Sequence, residues 1–335
     1  MAITRQMTVA LSRRNTLLSA AVLALLAGTT VPALAQDYPA KTITIVVPFA
    51  AGGGVDAIAR LLADKLRVSL GQPVVVDNKP GAGGTIAMAE LARAQADGYT
   101  IEFASQGTLV FNQALYSKPG YDSLKDFAPI ILVGGVSNVM IVPPGSSSKT
   151  VMDVIAAAKA KPGMTFSSGG SGTSHHLSGV LFGQLSGTEL THVPYKGAPQ
   201  GILAVMSGEV DMGFFNTPTV INQIKENKLK GLAVTSTTRS PLMPQLPTMD
   251  ASGVKAYEVN TWFGFVAPAG TPPDVVARLH DEIGKIISQP AMKEKLGAQG
   301  FELAPVQPPS SFTRLIQDDL AKWPAIIKAA GAKVD

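Results

Sequence analysis

The sequence predicts an α/β fold built on parallel sheets in two units, and three observations carry that prediction. Short β-branched runs, such as Thr42-Ile43-Thr44-Ile45-Val46-Val47, alternate with stretches whose apolar residues recur at helical spacing, such as Ile58, Leu61, Leu62 and Leu66. Glycine- or serine-rich turns stand where strands hand over to helices. About 300 residues remain once an export segment is set aside, enough for two domains of ordinary size.

Residues 1–36 read as that export segment. Arg5, Arg13 and Arg14 give a positive start, Leu17 to Leu26 is mostly apolar, and Ala33-Leu34-Ala35 is a small-residue cleavage pattern. The apolar run is too short, and too broken by Ser19 and Gly28, to span a bilayer. Ser12-Arg13-Arg14-Asn15-Thr16-Leu17-Leu18 also resembles a twin-arginine motif, so both export routes stay open. The chain has no Cys, which excludes disulfides and a lipid at the cleavage site, and predicts a freely soluble mature protein. Three of the four net positive charges lie in this segment, which has no acid, leaving +1 for the remainder. No electrostatic case for nucleic acid survives.

The mature elements follow in order. Thr42–Val47 predicts a buried strand ended by Pro48. Gly52-Gly53-Gly54 turns the chain into an amphipathic helix that stops at Gly71-Gln72-Pro73. Val74–Val76 is the next strand, glycines 81, 83 and 84 open a second helix to about Ala92, and Tyr99–Phe103 is a third strand. This βαβαβ alternation argues right-handed crossovers between parallel strands. Strands at Ile130–Gly134 and Val139–Val142 come next, then a helix at Val151–Ala160. Strands are read at Met164–Phe166, Leu190–Val193, Val210–Phe214, Leu232–Val234 and Phe263–Val266. Helices are read at about His176–Leu185 and 200–207, with a helical tail at 273–288, 290–298 and 309–330 and an edge strand at Phe301–Leu303.

Open parallel sheets take ligands just beyond the C-terminal ends of their strands. Four glycine- and serine-rich loops fall at such ends here: Gly52–Gly54, Ser105–Thr108, Ser167–Ser174 and Phe214–Asn216. Facing each other across a cleft, they would supply neutral donors to an anion.

Gly52-Gly53-Gly54-Val55-Asp56-Ala57 also fits the dinucleotide pattern, with Asp77 where that fold places its ribose-binding acid. The competing reading is an exported NAD(P)-dependent oxidoreductase. Pro48-Phe49-Ala50-Ala51 stands against it, because the dinucleotide turn follows its strand tightly. Asp56 is read as a helix cap. His175 and His176 are adjacent, so they point apart on a helix and make no metal pair. Ser171 and Ser174 near histidine suggest a hydrolase, yet Thr173 stands where a nucleophile elbow needs glycine. Tyr195 could stack on a ligand, with Lys196 attracting a carboxylate at longer range. One of Phe214 and Phe215 belongs to the core by alternation, and the other, with Asn216, could face the cleft. Trp262 is read as packing where the chain recrosses.

Taken together, Tyr38-Pro39-Ala40-Lys41, Val47-Pro48-Phe49-Ala50-Ala51-Gly52-Gly53 and Val74-Val75-Val76-Asp77-Asn78-Lys79-Pro80-Gly81-Ala82-Gly83-Gly84 resemble the tripartite tricarboxylate transporter receptors, the Bug-type periplasmic binding proteins. Asp97-Gly98-Tyr99-Thr100, Lys125-Asp126-Phe127-Ala128-Pro129, Pro194-Tyr195-Lys196-Gly197 and Ala267-Pro268-Ala269-Gly270-Thr271-Pro272 continue the likeness in order. The resemblance implies a periplasmic binding protein-like type II clamshell of two α/β lobes with two crossovers. Lobe 1 is expected at 37–139 plus 262–335, and lobe 2 at 140–261. It further implies a monomeric periplasmic receptor, not an enzyme, without cofactor. It would pass a small carboxylate to large and small membrane permease subunits. Carried over by position, the ligand contacts are Phe49, Ala50, Ala51, Gly52, Ser105, Gln106, Ser171, Thr173, Ser174, Tyr195 and Asn216. His175 and Phe215 join them from the residue reading. Val180 and Phe215 stand where relatives place acids, which shifts the expected ligand from amino acids towards an aromatic acid or a dicarboxylate.

Overall fold

The computed structural model describes residues 38–49, 51–195, 197–329 and 331. The export-signal reading of residues 1–36, and the readings on Ala50 and Lys196, lie outside them. The elements of the fold belong to one unit running from Lys41 to Asp335.

Strand β1, Ile43–Val47, is a β-branched run that is almost fully buried. Helix α1, Gly54–Leu70, buries Ile58, Leu62, Leu66 and Leu70 along one face and ends at Gly71, whose φ of 67° supplies a left-handed cap. Strands β2, Val74–Asn78, and β3, Thr100–Ser105, both pair with β1 in parallel. Between them lies α2, Thr85–Leu91. After β3 a π-helical turn, Gly107–Phe111, runs into α3, Asn112–Leu115.

The largest departure from the sequence reading is β4, one strand of 16 residues from Phe127 to Val142 where two short strands are expected. Gly134 and Gly135 look like breakers but have another use. A Cβ on Gly134 would meet Glu302 O at 2.2 Å, and one on Gly135 would meet Thr261 O at 2.7 Å. Glycine lets neighbouring backbones close on a strand that bends without stopping. The first part of β4 pairs antiparallel with β9, Asn260–Pro268, and with β10, Glu302–Leu303. Its last part pairs antiparallel with β7, Met212–Asn216, and β8, Lys230–Val234.

The main strand order is therefore β2-β1-β3-β9-β4-β7-β5-β6, with β5 at Met164–Ser168 and β6 at Leu190–Pro194. β5 is parallel to both β6 and β7. Each half thus keeps the expected parallel strands, while the join through β9 and β4 is antiparallel, giving a mixed α/β clamshell of two halves. Helices α4, Val151–Ala160, α5, Ser174–Ser186, α6, Ala198–Ser207, and α7, Thr217–Lys225, cover the second half. Helices α8, Pro273–Ile287, α9, Pro290–Ala298, and α10, Pro309–Ala329, complete the chain. A continuous core joins Phe111, Phe166, Phe214, Trp262 and Trp323, and a smaller one gathers Val139, Ile202, Phe215 and Val234.

Candidate functional site

Parallel strands carry their C-terminal ends to the same edge of a sheet, so the loops after β1, β3 and β5 and at the end of β7 gather by topology. They border a cleft of about 430 Å³. Phe49, Gly54, Val55, Ser105 and Gly107 line it from the first half, and Ser171, Gly172, Thr173, Ser174, His175 and Asn216 from the second. Two helix N-termini, at Gly54 of α1 and at Ser174 of α5, open on this space. No Lys, Arg, Asp or Glu is found among its described lining residues.

The β1–α1 loop is held by Asp56, the third residue of α1 and 4% exposed. Its carboxylate accepts Arg60 Nε at 3.0 Å, the Gly52 N–H at 2.8 Å and Asn78 Nδ2 at 3.0 Å. The Arg60 hydrogen bond, helped by the Gly52 amide, holds its pKa down to about 2. Asn78 Nδ2 also donates to Phe49 O at 3.1 Å. Asp56 therefore organises the loop from behind, and Gly53 stands at the cap position where sequence places Asp56. The Gly52 amide is engaged by Asp56, and Ala51 and Gly52 are exposed outside the lining.

The loop between β5 and α5 is built around three imidazoles. Thr173 caps α5, accepting the His176 N–H at 3.4 Å and donating to Gly170 O at 2.7 Å. His175 Nδ1 accepts the Gly169 N–H at 3.4 Å, which puts its proton on Nε2, 3.0 Å from Asn216 Oδ1. Asn216 Nδ2 donates to Asn138 Oδ1 at 2.9 Å, and Asn138 Nδ2 donates to Ser178 Oγ at 3.0 Å. This relay fixes the tip of β7 against the start of α5. His176 Nδ1 accepts the Gly172 N–H at 3.1 Å, and its ring stacks on His192 with centroids 3.8 Å apart. His192 Nε2 in turn reaches Ser168 Oγ at 2.7 Å. Burial lowers all three histidines to about 4, with His176 adding to the effect on His192, so each is neutral at pH 7.

Some donors at the cleft remain unengaged. Among the described residues, the hydroxyls of Ser171 and Ser174 and the first two N–H groups of α5 have no protein acceptor. Free N–H groups at a helix N-terminus carry partial positive charge. An anion can be held there with no cationic side chain.

Of the other ligand contacts expected from sequence, Gln106, Tyr195 and Phe215 stand outside the lining. Gln106 turns its amide to Asp319, donating to Oδ2 at 2.8 Å. Tyr195 donates its hydroxyl to Glu209 Oε1 at 2.8 Å. Phe215 is fully buried, its ring centroid 4.8 Å from that of His175, so it backs the site without facing it. Val180 packs against the main core. Trp262 is a packing residue as expected, donating Nε1–H to Asp319 Oδ2 at 2.7 Å and meeting Phe312 edge-on. Asp77 pairs with Lys79 at 3.5 Å and is not among the residues that line the cleft.

The apolar part of the lining is what the sequence reading misses. Ile58, Phe111, Leu115, Val136, Phe263 and Phe301 border the cleft, beside Thr261 and Gln299. Ile58 was within reach, since it lies one helical turn after the glycine loop. Phe301 and Gln299 come from a segment with no recognisable loop pattern.

A family model described as "Tripartite tricarboxylate transporter family receptor" (TctC) matches residues 58–332. A Pseudomonas sp. (strain P51) protein, "UPF0065 protein in tcbD-tcbE intergenic region", is 37% identical over 316 residues, covering 94% of each chain. The solved structure of Rpa4515 from R. palustris with adipate is similar with a TM-score of 0.78 and 33% identity, covering 89% of this chain and 100% of that one. MatC (Rpa3494) from Rhodopseudomonas palustris with bound malate is similar with a TM-score of 0.74 and 29% identity, covering 87% of this chain and 100% of its own.

Proposed function

We propose, since this chain belongs to the tripartite tricarboxylate transporter receptor family, that it captures a small organic carboxylate in the periplasm and hands it to large and small membrane permease subunits. The family is one of receptors, not enzymes, and the dinucleotide-dependent alternative falls away. One observation carries the carboxylate reading: two helix N-termini from opposite halves open on a cleft without a charged side chain among its described lining residues. The adipate and malate held by similar proteins support it.

In this reading Phe49, Ser105, Ser171, Thr173, Ser174, His175 and Asn216 meet the ligand, and Ala50 adds its backbone. Lobe 1 is 37–139 plus 262–335, lobe 2 is 140–261, and the two shut by bending where β4 and β9 pass between them. The chain acts as a monomer, exported by the segment at 1–36. No helix among the described residues is long and apolar enough to cross a membrane.

Two measurements test the proposal. In a melting screen, a carboxylate at one hundred times its dissociation constant should add about 2.7 kcal/mol of stability. Cells lacking the gene should lose uptake of that same carboxylate and regain it on complementation. A protein stabilised only by NAD(P), or unaltered carboxylate uptake without the gene, would sink it.

A further inference from the structure

The composition of the cleft narrows its occupant, on the premise that the carboxylate reading holds. No charged side chain is found among the described lining residues, and His175 is neutral at pH 7. The unengaged donors gather at the two helix N-termini, at Ser171, Ser174 and the first N–H groups of α5 and at the first N–H groups of α1. The wall formed by Ile58, Phe111, Val136, Phe263 and Phe301 is different in kind. It is apolar, and the rings of Phe263 and Phe301, with centroids 5.9 Å apart, make one continuous aromatic surface.

Polar groups near that wall are already engaged or too few. The amide of Asn112 donates to Gly83 O at 3.0 Å. Thr261 Oγ1 is buried and, among the described residues, has no partner. This hydroxyl and the exposed side-chain amide of Gln299 suit a neutral polar group such as a carbonyl or ether oxygen. Neither is charged, so the pair is a poor substitute for the hydration of a second carboxylate and supplies no counter-ion to an ammonium.

We propose that the receptor is selective for single-headed acids: one carboxylate held where the N-termini of α1 and α5 open on the cleft, and an uncharged alkyl or aryl body along Ile58, Phe111, Phe263 and Phe301. Acids with a second carboxylate or an ammonium at the far end are selected against. This sets the chain apart from the similar proteins that hold adipate and malate, both two-headed acids.

Calorimetric titration of the mature protein at pH 7 tests the proposal on two scaffolds that change only the far end. The linear series is hexanoate, adipate, 6-aminohexanoate and hexanamide. The aryl series is 4-methylbenzoate, terephthalate, 4-(aminomethyl)benzoate and 4-methylbenzamide. On at least one scaffold the methyl-ended acid should bind about tenfold tighter than the dicarboxylate and about a hundredfold tighter than the ammonium acid. Selectivity is overturned if, on both scaffolds, a charged-ended acid equals or exceeds the methyl-ended one, and the carboxylate reading then still stands. If the amides bind as well as the acids, or no acid of either series binds, the carboxylate reading fails and takes the selectivity with it.

Discussion

Gly172 and Leu115 meet across the cleft: a Cβ built on Gly172 would lie 2.6 Å from Leu115 Cδ1. Gly172 follows β5 in the second half, and Leu115 ends α3 in the first. Gly300 of the first half meets Pro218 of the second in the same manner, at 2.3 Å from a built Cβ to Cγ. The two halves therefore already touch at two places around the cavity. Gly172 also has a φ of 78°, which costs a residue with a side chain about 1–2 kcal/mol. Gly172→Ala is predicted to weaken ligand binding about tenfold or more, because the added methyl separates the halves at the point of closure. Gly187, with a φ of 63° and no atom within 4 Å of a built Cβ, provides the control. If Gly172→Ala and Gly187→Ala alter affinity equally, the contact with Leu115 is not part of closure.

Ser171 offers a clean electrostatic test, since it is exposed and its hydroxyl has no partner among the described residues. Ser171→Asp should leave stability within about 0.5 kcal/mol of the parent, as surface substitutions do. A carboxylate ligand should lose at least about tenfold in affinity to like-charge repulsion. Unchanged affinity in a folded variant would mean that the anion does not sit at the start of α5.

Asn216 joins the lining to the buried relay behind it. Asn216→Ala removes the acceptor of His175 Nε2–H and the donor to Asn138 Oδ1, and Asn138 is 1% exposed. Each orphaned buried group costs about 1–3 kcal/mol. A lower urea midpoint is predicted, together with a lower affinity as the start of α5 loosens. A denaturation curve that overlays the parent would show that the relay carries no stability.

The three histidines give stability a pH dependence of known sign. Folding lowers each from an ordinary value near 6.5 to about 4. Between those values the unfolded chain binds protons that the folded chain does not. Their contribution is therefore complete above about pH 6.5 and is lost as pH falls towards 4. For a fully buried imidazole such as His175 the loss is on the order of 2–3 kcal/mol, and for the half-buried His192 it is smaller. Melting temperatures measured from pH 7 to 4.5 should fall steadily, and His192→Phe should flatten the slope. A parent protein equally stable at both ends of that range would contradict the assignment of neutral histidines.

Much of this architecture could be read from sequence wherever local pattern and tertiary role agree. β1 and α1 are visible because a β-branched run and a helical apolar stripe are also what the core requires. The strand-tip loops are visible because parallel topology leaves them little choice of edge. β4 is misread because Gly134 and Gly135 signal a break locally, whereas they serve the close approach of Thr261 and Glu302. α7 and the turn at Gly107–Phe111 escape because each begins in or directly against a polar stretch read as a strand-end loop, Phe214–Asn216 and Ser105–Thr108. Within the site, Ser105, Ser171, Thr173, Ser174 and Asn216 lie where the loops predict. Phe215 does not, because its neighbour His175 takes the cleft position and leaves the ring beneath it. Phe263 and Phe301 arrive from distant parts of the chain and belong to no motif. Residue types alone cannot say which apolar side chains end up beside an anion.

The shared strand β4 has a further consequence for how the protein can be divided. Each sheet needs its own stretch of this one strand, so a cut at the waist of the molecule leaves β9 on one side, and β7 with β8 on the other, facing bare hydrogen-bonding edges. Neither piece would be expected to survive alone without clumping, and gene fusions or shuffled chimaeras that exchange only one half must carry the matching part of Phe127–Val142 with it.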